Sequence, residues 1–206
     1  MFKKIKSFYL ENMDLVNKFW LNQIAMSILG IMVCLPMVML GNAGLIIASV
    51  FASAFFLCLL YDNAWDRGFK DSNKVSNKRL EFRPLHGAKV AVFAYAPSLF
   101  FLSLWALSVI FNVFGIEVFN SVGVIGKAVV ELFCNGTYLG IAYVLLEYIE
   151  EPYSIFVVAM CFLPAIGAYG LGYRLGLADK QIKTFFGMKP ALGEGAKKPT
   201  QRKSSH

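Results

Sequence analysis

Nineteen of the twenty lysine and arginine residues in this chain fall into three segments, with long uncharged apolar runs between them. Lys3, Lys4, Lys6 and Lys18 come first. Arg67, Lys70, Lys74, Lys78, Arg79, Arg83 and Lys89 form the second group, and Arg174, Lys180, Lys183, Lys189, Lys197, Lys198, Arg202 and Lys203 the third. Only Lys127 stands apart. A bilayer core about 30 Å thick needs roughly 20 apolar residues of helix to cross it. Trp20 to Leu40 supplies 21 uncharged residues, Ala43 to Tyr61 19, Val90 to Gly115 26, and Ser154 to Tyr173 a fourth run. With 57% hydrophobic and 16% charged residues in 206, one water-soluble core would be a poor home for this much apolar surface. The pattern predicts an all-α polytopic membrane helical bundle: four transmembrane helices, an N-terminal amphipathic helix and an outer-side helical hairpin.

The expected organisation is a single membrane domain over 1–185, with spans near 20–40, 43–61, 90–115 and 154–175, and a basic disordered cytoplasmic tail over 186–206. Residues 62–89 are the expected cytoplasmic loop and 116–152 the outer-side segment. Basic residues are retained on the cytoplasmic side during insertion, so all three clusters are expected inside. Both termini are then cytoplasmic and the number of crossings is even. The net charge of +7 is thereby assigned to topology and to anionic lipid headgroups, not to nucleic acid.

Along residues 2–20, Phe2, Ile5, Phe8, Tyr9, Met13, Val16 and Phe19 gather on one helical side and the lysines on the other, with Leu10 and Asn12 breaking the pattern. A helix of this kind lies in the interface. Pro36 ends the first span, and Gly41-Asn42-Ala43-Gly44 reads as a tight outer turn. Gly44, Ala48 and Ala52, and again Ala168, Gly172 and Gly176, are small residues at four-residue spacing, which let helix backbones approach closely. They read as intramolecular packing faces, with a homo-oligomer interface as the minority reading. Pro97 predicts a kink. In Val118–Ile149, Lys127, Glu131 and Asn135 follow at four-residue steps, and Asn135-Gly136 is a turn signal that splits the region into two short helices, a hairpin at the outer face or, as the alternative of equal parity, two full crossings. A carboxylate at mid-bilayer costs about 2.5–3.5 kcal/mol, so Glu131 is expected beside Lys127 or near the surface.

Catalytic patterns fail on inspection. Tyr61-Asp62 with Gly176-Leu177-Ala178-Asp179 echoes the paired aspartates of intramembrane proteases, but Ala178 stands where a glycine belongs and both aspartates sit at the boundary. Asp71-x-Asn73 opens like a calcium loop and then lacks its turn glycine and closing glutamate. Cys34, Cys58, Cys134 and Cys161 are scattered singly and read as packing residues. His86 has no sequence-adjacent His or Cys and reads as a loop residue, and Asn135-Gly136-Thr137 matches the glycosylation sequon only by chance. No catalytic residue, metal ligand or cofactor is predicted.

Two surfaces remain. Asp62, Trp65, Asp66 and Asp71 form a candidate cytoplasmic docking surface, where two like charges four residues apart repel unless a cation intervenes. Asn22, Gln23, Glu131 and Asn135 are candidate polar intramembrane residues, a type that usually faces a bundle interior or cavity.

Asn22-Gln23-x-Ala25-Met26, Tyr61-Asp62-x-x-Trp65-x-x-Gly68-x-x-Asp71, Gly87 to Pro97, and Pro164-x-x-Gly167 with Tyr173-x-x-Gly176 resemble a group of small multi-pass integral membrane proteins of Gram-positive, clostridia-like bacteria that carry no established activity. The likeness covers most of residues 15–185. A more distant one, through the Leu35-Pro36 ending of the first span, is to membrane proteins found near carbohydrate-uptake genes, though the usual Thr-Ile-Gly continuation is absent at Val38-Met39-Leu40-Gly41. The resemblance implies a bacterial cell membrane. The functional expectation is a non-enzymatic accessory or scaffold protein with a membrane or cytosolic protein partner; the alternative is a small transporter or transporter subunit.

Overall fold

The computed structural model describes residues 2–81, 83–115, 119–149 and 151–178, and the regular structure among them is all helical. The helices are α1 (Phe2–Met37), α2 (Gly41–Ser76), α3 (His86–Ala94), α4 (Ala96–Val113), α5 (Asn120–Val129), α6 (Leu139–Leu146), α7 (Glu151–Met160) and α8 (Phe162–Leu177). A π-type turn at Val130–Cys134 and a 3₁₀ turn at Gly136–Tyr138 join α5 to α6. The expected tail over 186–206, together with Glu150 and Asp179, lies outside the described residues.

Among the described residues three segments are long and apolar enough to cross a membrane, fewer than the four expected: Ile5–Ser76, Ala96–Val113 and Tyr153–Leu177. The first spans 72 residues and doubles back on itself. Cys34 Sγ of α1 lies 3.6 Å from Ser49 Oγ of α2, and Lys18 and Asn22 share a cleft with Asn63 and Asp66. The two helices are therefore antiparallel, joined by a 3₁₀ turn at Val38–Leu40 and by Gly41 at φ +65°, a conformation open to glycine. The turn falls three residues earlier than the sequence signal at Gly41–Gly44. Each helix has 36 residues, about 54 Å, longer than the roughly 30 Å of a bilayer core.

The separate amphipathic helix expected over 2–20 is instead the first half of α1, continuous with the first span. Asn12, which breaks the apolar pattern, is buried, with its amide N–H donating to Phe8 O at 2.9 Å. His86 Nε2 donates to Asn12 Oδ1 at 2.9 Å, so His86 is a contact between α1 and the start of α3, not a loop residue. The polar residue of α1 thus finds its partner on α3.

Two prolines set the breaks in the later spans. Pro97 cannot donate to Phe93 O, and the helix interrupts at Tyr95. Pro164 cannot donate to Met160 O, and α7 ends there, so the expected single run Ser154–Tyr173 is two helices. The small-residue stripes are filled inside the molecule. Gly172 and Gly176 rest on the carbonyls of Tyr61 and Trp65, and Gly68 on that of Tyr173, which brings α2 and α8 together in parallel. Tyr169, Phe19, Tyr95 and Phe162 form the aromatic centre in that order, with ring centroids 4.7–5.4 Å apart in successive pairs. Met32, Ile47 and Phe51 leave more than half their surface exposed on the outside. Long apolar helices with such an exterior are compatible with a membrane location.

The directions follow from the contacts. Asn12 with His86 and Phe19 with Tyr95 make α1 and α3 parallel. Ser108 against Gly123 and Ser98 against Cys134 make α5 run back down α4. Gly140 against Ser49 and Glu147 against Asn42 make α6 run back up α2. The α5–α6 segment, bent by 78° at its break, thus enters and leaves at one end of the bundle, beside the α1–α2 turn.

Candidate functional site

The α5–α6 break is pressed into the bundle by two facing glycines. A Cβ on Gly136 would meet Ser27 O at 2.6 Å, and one on Gly30 would run into the backbone of Gly136 and Thr137. Backbone therefore meets backbone, and the polar groups of an interrupted helix are carried into an apolar interior. In a membrane such irregular backbone is tolerated only inside protein or along a cavity.

Several N–H groups at the break have partners. Ser49 Oγ accepts from Gly140 N at 2.7 Å and Ile141 N at 3.2 Å, capping the first turn of α6 from a different helix. Gln23 Nε2 donates to Cys134 O at 3.1 Å, and Asn135 Nδ2 to Val158 O at 3.1 Å. The oxygens fare otherwise. Gln23 Oε1, Ser27 Oγ, Glu131 Oε1, Asn135 Oδ1, Thr137 Oγ1 and Tyr138 OH are buried without a hydrogen-bond partner from the protein. Gln23, Ser27, Asn135 and Thr137 are each at most 3% exposed. An unanswered buried polar group costs about 1–3 kcal/mol, so these oxygens are places where water, a cation or another hydrogen donor is expected to bind. Oxygen-lined sites at the carbonyl end of a half-helix suit a cation or another hydrogen donor. A cavity of about 60 Å³ between α5, α6 and α7 is lined by Glu131, Asn135 and Val158. Lys127, one turn before Glu131, lies 5.3 Å from the Trp105 ring centroid.

Of the four polar residues predicted inside the membrane, three gather at this break: Gln23, Glu131 and Asn135. Asn22, next to Gln23 in sequence, points to the neighbouring face of α1 and into a different cleft. Ser27, Ser49, Thr137 and Tyr138 were not among the predicted site residues, because a lone hydroxyl in an apolar run is commonplace and their roles depend on contacts with other segments.

The other end of the bundle carries a cluster of charges. Asp71 is buried; its Oδ2 accepts from Tyr173 OH at 3.1 Å and its Oδ1 from Lys74 Nζ at 3.2 Å, and Arg67 Nε lies 3.3 Å from Oδ2. Trp65 is half-buried and stacks on Phe69 at 5.3 Å. Asp66 is exposed and paired with Lys70 at 2.6 Å, and Asp62 is exposed. The predicted docking residues are therefore split between an exposed pair, Asp62 and Asp66, and a buried anchor, Asp71. His86, packed edge-on to Phe8, has its pKa lowered by burial, which outweighs the pull of Asp71 and Glu11 in the other direction.

Comparison with protein-family models finds no matching family, and comparisons with curated proteins and with solved structures find no significant match.

Proposed function

We propose that this chain is an integral protein of the bacterial cell membrane that crosses four times, with both termini cytoplasmic, and that it works as a small transporter or transporter subunit for a cation. The supporting observation is the set of six unpartnered buried oxygens around a helix break carried into the bundle. In this reading α1, α2, α3–α4 and α7–α8 are the four crossings, and α5–α6 dips in from the outer face. The positive-inside distribution of the basic clusters orients it. Gln23, Glu131 and Asn135 line the route, and Ser49 holds α6 so that the oxygens stay presented.

The test is flux of sodium and potassium into proteoliposomes, paired with thermal unfolding of the detergent-solubilised protein in each chloride salt. Wild type is expected to show flux and stabilisation by one cation over the other, and Asn135→Leu to lose both. Equal unfolding temperatures in every salt, with no flux, would reject the cation reading and leave the oxygens to water.

The accessory or scaffold reading stands second. It draws on Asp62 and Asp66, which face solvent at the charged end beside the basic 62–89 segment. Co-purification in mild detergent tests it: a partner in fixed ratio, lost in an Asp62→Lys, Asp66→Lys double variant, would favour it.

A further inference from the structure

We propose that the cleft between α1, α2 and α8 binds a phosphate-class anion, carried either on a phospholipid headgroup or on a free phosphorylated solute. The cleft has a volume of about 130 Å³ and is lined by Lys18 and Asn22 from α1, Asn63, Asp66, Arg67 and Lys70 from α2, with Tyr169 of α8 behind them. Two of its nitrogens are buried without a hydrogen-bond partner, Asn22 Nδ2 and Arg67 Nε. Arg67 Nε lies 3.3 Å from Asp71 Oδ2, but at an angle that makes no hydrogen bond. Where the helix break offers oxygens, this cleft offers N–H groups, which only an acceptor can answer. Of the cations lining it, Lys70 holds Asp66 at 2.6 Å and Arg67 lies beside Asp71, which leaves Lys18 to bring positive charge to a ligand. Asn63 gives one of its two amide N–H groups to Leu59 O at 3.0 Å.

Depth points to the same ligand. Lys18 and Lys70 are exposed at the rim, and the exposed Trp20, of a residue type enriched at water–lipid boundaries, is two positions from Lys18. A phospholipid phosphate sits at this level, and basic pockets between helices on the cytoplasmic side are suited to anionic headgroups. Guanidinium and ammonium donors to phosphate oxygens make the stronger, charge-assisted class of hydrogen bond.

The test uses the full-length protein in detergent micelles, with thermal unfolding and native mass spectrometry as readouts. The probes are inorganic phosphate at matched ionic strength, phosphatidylglycerol, and a neutral glycolipid lacking phosphate. Lys18→Glu, at the exposed rim, and Asn22→Leu, which removes an unpartnered donor and so leaves folding intact, are expected to weaken binding about tenfold each. Lys3→Glu, outside the cleft, is expected to leave it unchanged. Binding of phosphatidylglycerol but not inorganic phosphate assigns the headgroup; binding of inorganic phosphate assigns a soluble ligand. Equal affinities in wild type, Lys18→Glu and Lys3→Glu, or no preference for either phosphate probe over the glycolipid, would overturn the proposal.

Discussion

Asp71 and Asn135 are equally buried, each 3% exposed, yet their surroundings are opposite. Around Asp71 each carboxylate oxygen is answered: Tyr173 and Lys74 donate to it, and Arg67 adds its charge from 3.3 Å. Around Asn135 the nitrogens are answered and the oxygens are left open. The first arrangement fastens α2 to α8 and needs nothing further. The second is costly unless something binds. Closed polar networks hold this bundle together, and the open one is where binding is to be sought.

The contrast can be broken by substitution. Asp71→Leu removes the acceptor that three groups share and is expected to destabilise the detergent-solubilised protein by about 2 kcal/mol. That is less than the 3–5 kcal/mol of a fully buried pair, because Arg67 and Lys74 remain partly in water. Thermal unfolding against wild type measures it, and a loss below a few tenths of a kcal/mol would mean that Asp71 is no anchor. Thr137→Val keeps the shape and deletes an unanswered hydroxyl. Without added cation it is expected to be neutral or to stabilise by up to about 1 kcal/mol, the opposite sign from Asp71→Leu. A clear destabilisation there would show that Thr137 already has a partner and that the break is closed.

The smallest effect is the pH response of His86. Its folded pKa lies below the ordinary 6.5, so the unfolded chain binds more protons within that window. Stability from this residue is therefore present above about 6.5 and is lost as pH falls from there toward the lowered value. Unfolding temperatures at pH 8 and pH 5 are expected to differ less in His86→Gln than in wild type. An unchanged difference would remove His86 from the account.

Much of the architecture could be read from the sequence because its signals are local. Pro97 gave its kink, the small-residue stripes gave their packing faces, and Asn135-Gly136 gave its break. Pro164 carried the same signal as Pro97, and the sequence reading passed over it, so the last run was expected whole. The count of four spans was read from separate charge-free runs, whereas the folded chain presents α1 and α2 as one apolar stretch with a three-residue turn. What stayed hidden is long-range. Asn12 meets His86 across 74 residues and Ser49 caps α6 across 91, and neither polar residue announces its partner. The candidate site divides in the same way: Gln23, Glu131 and Asn135 stood out as polar residues among apolar ones, but that the open atoms are all oxygens depends on which way each amide turns.

The direct measurement is the sidedness of the two ends of α5–α6. In a background with Cys34, Cys58, Cys134 and Cys161 replaced by alanine, single cysteines at Asn120 and at the exposed Tyr148 are labelled in intact cells with a membrane-impermeant maleimide. Labelling of both from outside is the predicted result. If one reacts in intact cells and the other only after the cells are opened, the segment crosses the bilayer, and the dip that carries its unpartnered oxygens into the bundle is wrong.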